Sequence, residues 1–304
     1  VVDDLRKSYG TTAAVDGVSF EVAQGEVYGL LGHNGAGKST TVEILEGHRT
    51  ASSGAVTVLG LDPATGGREM RDRIGIVLQT SSVETELTVR EALRFYGSVY
   101  RRRRSIDDVV EMVGLTEKAD ERIGTLSGGQ RRRLDLGLGI IGTPELLFLD
   151  EPTTGFDPVA RRQSWELVQR LCDGGTTVLL TTHYLDEAEH LADRVGVLAN
   201  GRMVAEGTPE ELMSAVPNAT VSFDLPAGVT ASDLAVPTTA DVAGTTVRIE
   251  TETPTASLAP IIGAAIDRGV ELANLSVRRP SLEDVFLRIG ETTGASGAAD
   301  GSRP

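Results

Sequence analysis

Gly32-His33-Asn34-Gly35-Ala36-Gly37-Lys38-Ser39 is the stretch that decides the fold. It fits G-x-x-x-x-G-K-[ST], a loop that wraps phosphate. The apolar run Glu26 to Leu31 before it has strand length, and a helix is expected from Lys38 to Gly47. Strand, glycine turn and helix are the context this pattern requires. Glycines let the backbone curl until several N–H groups face one anion. The helix N-terminus adds a favourable dipole. Lys38 supplies a point charge for the β- and γ-phosphates, and Ser39 a hydroxyl for Mg²⁺. Alone, the loop says nucleoside triphosphate and no more.

The second half of such a site is a buried strand ending in acid. Leu146 to Leu149 runs into Asp150-Glu151. Asp150 is expected in the Mg²⁺ shell. Glu151 is expected to polarise the attacking water, a role worth about 10²–10⁴-fold in rate.

Leu126-Ser127-Gly128-Gly129-Gln130 narrows the reading. Locally, Ser127 before two glycines is a helix N-cap, and a helix N-terminus is also an anion site. The pentapeptide resembles the LSGGQ signature of the ABC ATPase superfamily. Other matches follow in that family's order: Tyr9 at the adenine-stacking position, Gln79 at the Q-loop, Phe156-Asp157-Pro158 at the D-loop and His183 at the switch histidine. The resemblance covers residues 5 to about 210. It implies a P-loop ABC ATPase domain of α/β class with an inserted helical subdomain. It implies ATP and Mg²⁺ as ligands. The nucleotide would meet Tyr9, the loop Gly32, His33, Asn34, Gly35, Ala36, Gly37, Lys38, Ser39 and Thr40, and, from a second copy, Ser127, Gly128, Gly129 and Gln130. Ser39, Gln79 and Asp150 would hold the metal, and Glu151, His183 and Gln79 would serve hydrolysis. It further implies a homodimer formed on ATP binding and an integral-membrane transporter subunit as partner. The D-loop carries Phe156 where leucine is more familiar, and no proline precedes Gln79.

Within the superfamily, Glu46-Gly47-His48-Arg49, Gly155-Phe156-Asp157-Pro158 and Pro280 to Leu287 resemble the bacterial drug-resistance exporter subgroup, the daunorubicin-resistance ATPase type. The resemblance implies an exporter motor at the inner face of the cell membrane. An importer ATPase is the nearest alternative. A soluble ABC regulator acting on ribosomes or nucleic acid is a third, from another class.

Composition agrees with this. Net charge is −15, whereas broad nucleic-acid binding calls for a basic face, so no nucleic-acid partner is expected. The strong basic run is Arg101 to Arg104, either a solvated helix end or loop, or a contact with lipid headgroups or a partner. No apolar run approaches the ~18–20 residues that span a bilayer, and no basic-then-apolar leader is seen. The lone cysteine, Cys172, fits a reducing cytosol.

The chain divides by character into residues 1–208, with mostly helical signal at about 88–141, then a small α+β domain over 209–289, then a tail over 290–304 too poor in apolar anchors to order. Thr88 to Glu91 offers a capping box, Asp157-Pro158 an N-cap and N1, and Asn200-Gly201 a hairpin turn.

Overall fold

The computed structural model describes residues 1–78, 83–214 and 219–286. In chain order the elements of the first compact unit, Val1–Pro209, are β1 (Val2–Tyr9), β2 (Thr12–Phe20), β3 (Val27–Gly32), α1 (Lys38–Leu45), β4 (Ser53–Val56), α2 (Gly67–Arg71), β5 (Ile74–Val77), α3 (Val89–Gly97), α4 (Ile106–Met112), α5 (Gly128–Ile140), β6 (Leu146–Asp150), α6 (Pro158–Asp173), β7 (Thr177–Thr181), α7 (Leu185–Leu191), β8 (Arg194–Ala199) and β9 (Arg202–Gly207). Next come α8 (Pro209–Ser214), β10 (Ala219–Asp224), β11 (Asp241–Ala243), β12 (Thr246–Thr251), α9 (Pro254–Arg268) and β13 (Ala273–Arg278).

The first unit is built on a six-stranded sheet ordered β5-β6-β7-β3-β8-β9. Its first five strands are parallel, and β9 closes the edge antiparallel to β8. Every residue of β3 and of β7 is buried, which is why β3 carries no charged residue and β7 holds the apolar run Val178 to Leu180 between two threonines. A three-stranded antiparallel sheet, β2-β1-β4, packs on this layer through Leu5, Val18, Phe20, Tyr28, Leu30 and Phe148. A second apolar cluster joins the sheet to the helical stretch through residues such as Leu93, Val109, Leu134, Ile140, Leu147 and Leu167.

Local chemistry sets the helix ends. Thr88 and Glu91 form the expected capping box at α3. Asp157 Oδ1 accepts from Val159 N and Ala160 N at 2.8 and 2.9 Å, and Pro158 starts α6. Asn200 and Gly201 take positive φ in the β8–β9 turn, as a two-residue hairpin demands. Helix α1 stops at Leu45, short of the expected Gly47, because Gly47 enters the left-handed region. His48 N then donates to Glu43 O, and Gly47 N to Ile44 O, the paired bonds of a Schellman stop. Arg101 to Arg104 lies in the loop between α3 and α4, with Arg101, Arg102 and Arg103 exposed.

The second unit, from Glu210 onward, has a four-stranded antiparallel sheet ordered β11-β12-β10-β13. Val221, Phe223, Val247 and Ile249 pack with Ile261 and Ala265 of α9. Leu282 to Phe286 is helical, with Ser281 and Asp284 bonded reciprocally at its start. The last residues of the small domain expected to reach 289, and the tail over 290–304, lie outside the described residues. No helix among the described residues is long and apolar enough to cross a membrane.

Candidate active site

The parallel strands β3, β6 and β7 lead into the glycine loop, Asp150-Glu151 and His183. The glycine loop leaves the end of β3 and enters α1 at Lys38. Gly37 precedes the helix with φ 105°, and a β-carbon there would stand 2.5 Å from Ala14 O. Only glycine satisfies both demands. The Lys38 ammonium curls back to donate to Gly32 O at 2.6 Å and His33 O at 3.2 Å. Burial lowers the Lys38 pKa, while the charges of Glu151 and Asp150 act in the opposite direction. The phosphate-loop cation and the two carboxylates therefore share one field. His33, Asn34, Gly35 and Ser39 are exposed, and Ala36 is buried beneath them.

Asp150 and Glu151 end β6 differently. The Thr181 hydroxyl on the neighbouring strand donates to Asp150 Oδ1. Glu151 turns into the left-handed region at φ 48°, a conformation a residue with a β-carbon takes at some cost. Its Oε1 lies 2.9 Å from His183 Nδ1, and Thr154 Oγ1 donates to its Oε2 at 3.3 Å. The glutamate side chain is mostly buried, and the imidazole is half exposed. A carboxylate held between an imidazole and a hydroxyl, beside a phosphate-loop lysine, can accept a proton from water.

Ser127 to Gln130 form a separate group at the start of α5. Ser127 N donates to Gln130 Oε1 at 2.9 Å, and Gln130 N to Ser127 Oγ at 3.3 Å. Serine is thus the N-cap, as expected. Gly128 is exposed and Gly129 half-buried, and a β-carbon on Gly129 would first meet the Phe156 ring, at 3.9 Å. The aromatic D-loop residue is itself buried. Tyr9 is exposed at the β1–β2 turn, with Lys7 Nζ and Arg49 Cζ 5.3 and 5.6 Å from its ring centre. Gln79 lies outside the described residues, and Thr40 is half-buried on α1.

Two features carry no motif. Arg132, buried on α5, donates to the main-chain carbonyls of Asp150 at 2.8 Å, Glu151 at 2.9 Å and Pro152 at 3.0 Å, and to that of Leu78. Its sequence signal is its place on the inward stripe of α5 with Leu136 and Ile140, which are also buried. Glu187 on α7 is wholly buried and accepts from Trp165 Nε1 at 3.2 Å. Burial raises its pKa, and hydrogen bonding from Thr182, Thr153 and Trp165 opposes the rise.

The family model described as ABC transporter matches residues 15–154. A second, for the C-terminal domain of ABC transporter domain-containing proteins, matches residues 219–281. The chain is 40% identical over 303 residues to the daunorubicin resistance ATP-binding protein DrrA2 of Streptomyces coeruleorubidus, covering 94% of this chain and 92% of that one. It is 40% identical over 302 residues to the Nod factor export ATP-binding protein I of Rhizobium sp. (strain N33), covering 94% of each. A solved ATP-binding subunit of an ABC transporter superposes with a TM-score of 0.65 at 28% identity, over 71% of this chain and 92% of that one.

Proposed function

Because the chain belongs to the ABC transporter ATP-binding family, and so binds and hydrolyses ATP, we propose that it is the motor of an exporter and works through a separate membrane subunit. The relatives named for daunorubicin resistance and for Nod factor export support that direction. The motor would stand on the cytoplasmic side of the membrane. Two copies would pack head to tail. Each ATP would then lie between the Lys38 loop of one copy and the Ser127 N-cap of the other, two groups that are separate clusters in the single chain. ATP would bind the closed dimer better than the open one, and hydrolysis would reverse the preference.

One observation carries the catalytic assignment: the Glu151 carboxylate stands 2.9 Å from His183 Nδ1 and shares a field with Lys38. Glu151 would take the proton of the attacking water, and His183 would orient that carboxylate and face the γ-phosphate. Ser39 and Asp150 offer oxygen donors of the kind Mg²⁺ takes, with Asp150 already steadied by Thr181. They would hold that ion, which neutralises phosphate charge when bound. Gln79 would complete the set.

The test is Glu151→Gln. The expected outcome is tight ATP binding, turnover lowered about 10²–10⁴-fold, and a shift from monomer to dimer when ATP is added, read by light scattering. A variant that binds ATP and stays monomeric would sink the head-to-tail model.

A further inference from the structure

Arg132 lies one turn into the helix that Ser127 caps. It is 7% exposed, and its donors go to main chain. Nη2 serves the carbonyls of Asp150 and Glu151, Nε that of Pro152, and Nη1 that of Leu78. Asp135 Oδ2, one turn further along α5, lies 3.8 Å from Nη1 and orients the guanidinium.

The pattern of acceptors is informative. Asp150, Glu151 and Pro152 are consecutive, and the chain leaves the strand there because Glu151 is left-handed. At that bend three successive carbonyls are satisfied by one side chain. Only a planar guanidinium presents enough donors in a fixed fork to do this. Leu78, the fourth acceptor, directly precedes Gln79. One side chain rooted in the Ser127 helix therefore grips both the strand end bearing the two carboxylates and the segment entering Gln79.

We propose that Arg132 is a positioning residue for hydrolysis, which holds the Asp150–Pro152 backbone so that the Glu151 carboxylate stands where it polarises water. Because the arginine is anchored on α5, the placement of that helix sets the competence of its own chain's carboxylate. Docking of Ser127 on a partner's nucleotide is thereby reported to Glu151. This rests on the reading of Glu151 as the proton acceptor.

The experiment uses the full chain with Arg132→Lys, which keeps the charge and loses the fork. ATP affinity is measured by nucleotide titration, turnover at saturating ATP, and folding by thermal melting. The expected result is kcat lower by about 10²-fold, the scale of an ångström's misplacement, with ATP affinity within about threefold because the Lys38 loop is untouched. In a Glu151→Gln background the same change should cost less than about twofold of the residual rate, since a group acting only through Glu151 has nothing left to position. Turnover within twofold of the native chain would overturn the proposal. So would equal losses in both backgrounds, which would make Arg132 a fold-stabilising residue only. If lysine is not accommodated, Arg132→Gln goes through the same measurements and the same outcomes decide. Native turnover by Glu151→Gln alone would instead remove the reading of Glu151, and that result is seen before Arg132 is changed.

Discussion

The end of β6 and the edge strand β13 each hold a left-handed residue that is not glycine, Glu151 at φ 48° and Asn274 at φ 54°. At β13 the chemistry is ordinary. The pairing of β10 with β13 shifts register between Ser222 and Asp224, so one extra residue must be absorbed, as in a bulge. Asparagine tolerates that conformation, and its side chain donates to Asp224 Oδ2 at 2.7 Å. At β6 nothing in the residue type favours the bend. Glutamate is not among the residues that favour this region, and the strain is held by an arginine fork, a histidine and the hydroxyl of Thr154, three residues on. Where a fold keeps a poor conformer and holds it with several polar partners, of which Arg132 is buried and His183 half exposed, the conformer serves chemistry.

The sharpest way to break this contrast is Glu151→Gly. Glycine removes the left-handed strain, and its greater freedom when unfolded offsets part of the gain. The expected outcome is a stability within about 1 kcal/mol of the native chain, with turnover lower by about 10²–10⁴-fold. Denaturant unfolding and steady-state ATPase assays on the same preparation read both. A variant that loses stability and activity together would show the bend to be structural.

The fold was legible where period and punctuation agreed. The loop Gly32 to Ser39, the N-caps Thr88, Ser127 and Asp157, and the Asn200-Gly201 turn each stand where their residues predict, because these signals act within a few residues. The strands β1, β4 and β11 were not legible. β1 mixes Asp3, Asp4, Arg6 and Lys7 with its apolar residues, and burial in β4 and β11 is slight, so their pairing comes from the neighbouring strands. In the site, motif residues could be named singly, while their partners could not. Arg132 sits among Arg131 and Arg133, and a solvated arginine run looks the same in sequence. Thr181 and Glu187 matter through residues distant along the chain, Asp150 and Trp165.

A second test asks whether the unusual chemistry extends beyond the strand end. Glu46, the last residue of the α1 turn, is buried, and its Oε2 lies 3.1 Å from His48 Nδ1. Burial first, then the charges of Asp150 and Glu43, push its carboxyl up to about 7. The folded chain thus holds this proton more tightly than the unfolded chain, whose glutamate titrates near about 4.3. The stability that proton confers is full below the unfolded value and is lost as pH rises through about 7. Glu46→Gln removes the titration. The expected outcome is a variant more stable than the native chain at pH about 8, by about 1–3 kcal/mol, with the difference shrinking toward pH about 5. A difference that does not change with pH would place the ionisation elsewhere.

The smallest effect is expected at the ordinary bend. Asn274→Gly gives up the side-chain bond to Asp224, which sits at an exposed edge where water replaces it at little cost. Glycine is also the residue a bulge of this hand most readily takes. The loss and the relief oppose each other, so the melting temperature should move by less than about 2 °C, and turnover should not change. Because the same left-handed region is at issue, this variant is the control for Glu151→Gly. If Asn274→Gly instead unfolds the small sheet, β13 keeps its register through that one side chain. The two bends would then be alike in rigidity, and the argument from strain to catalysis at Glu151 would lose its contrast.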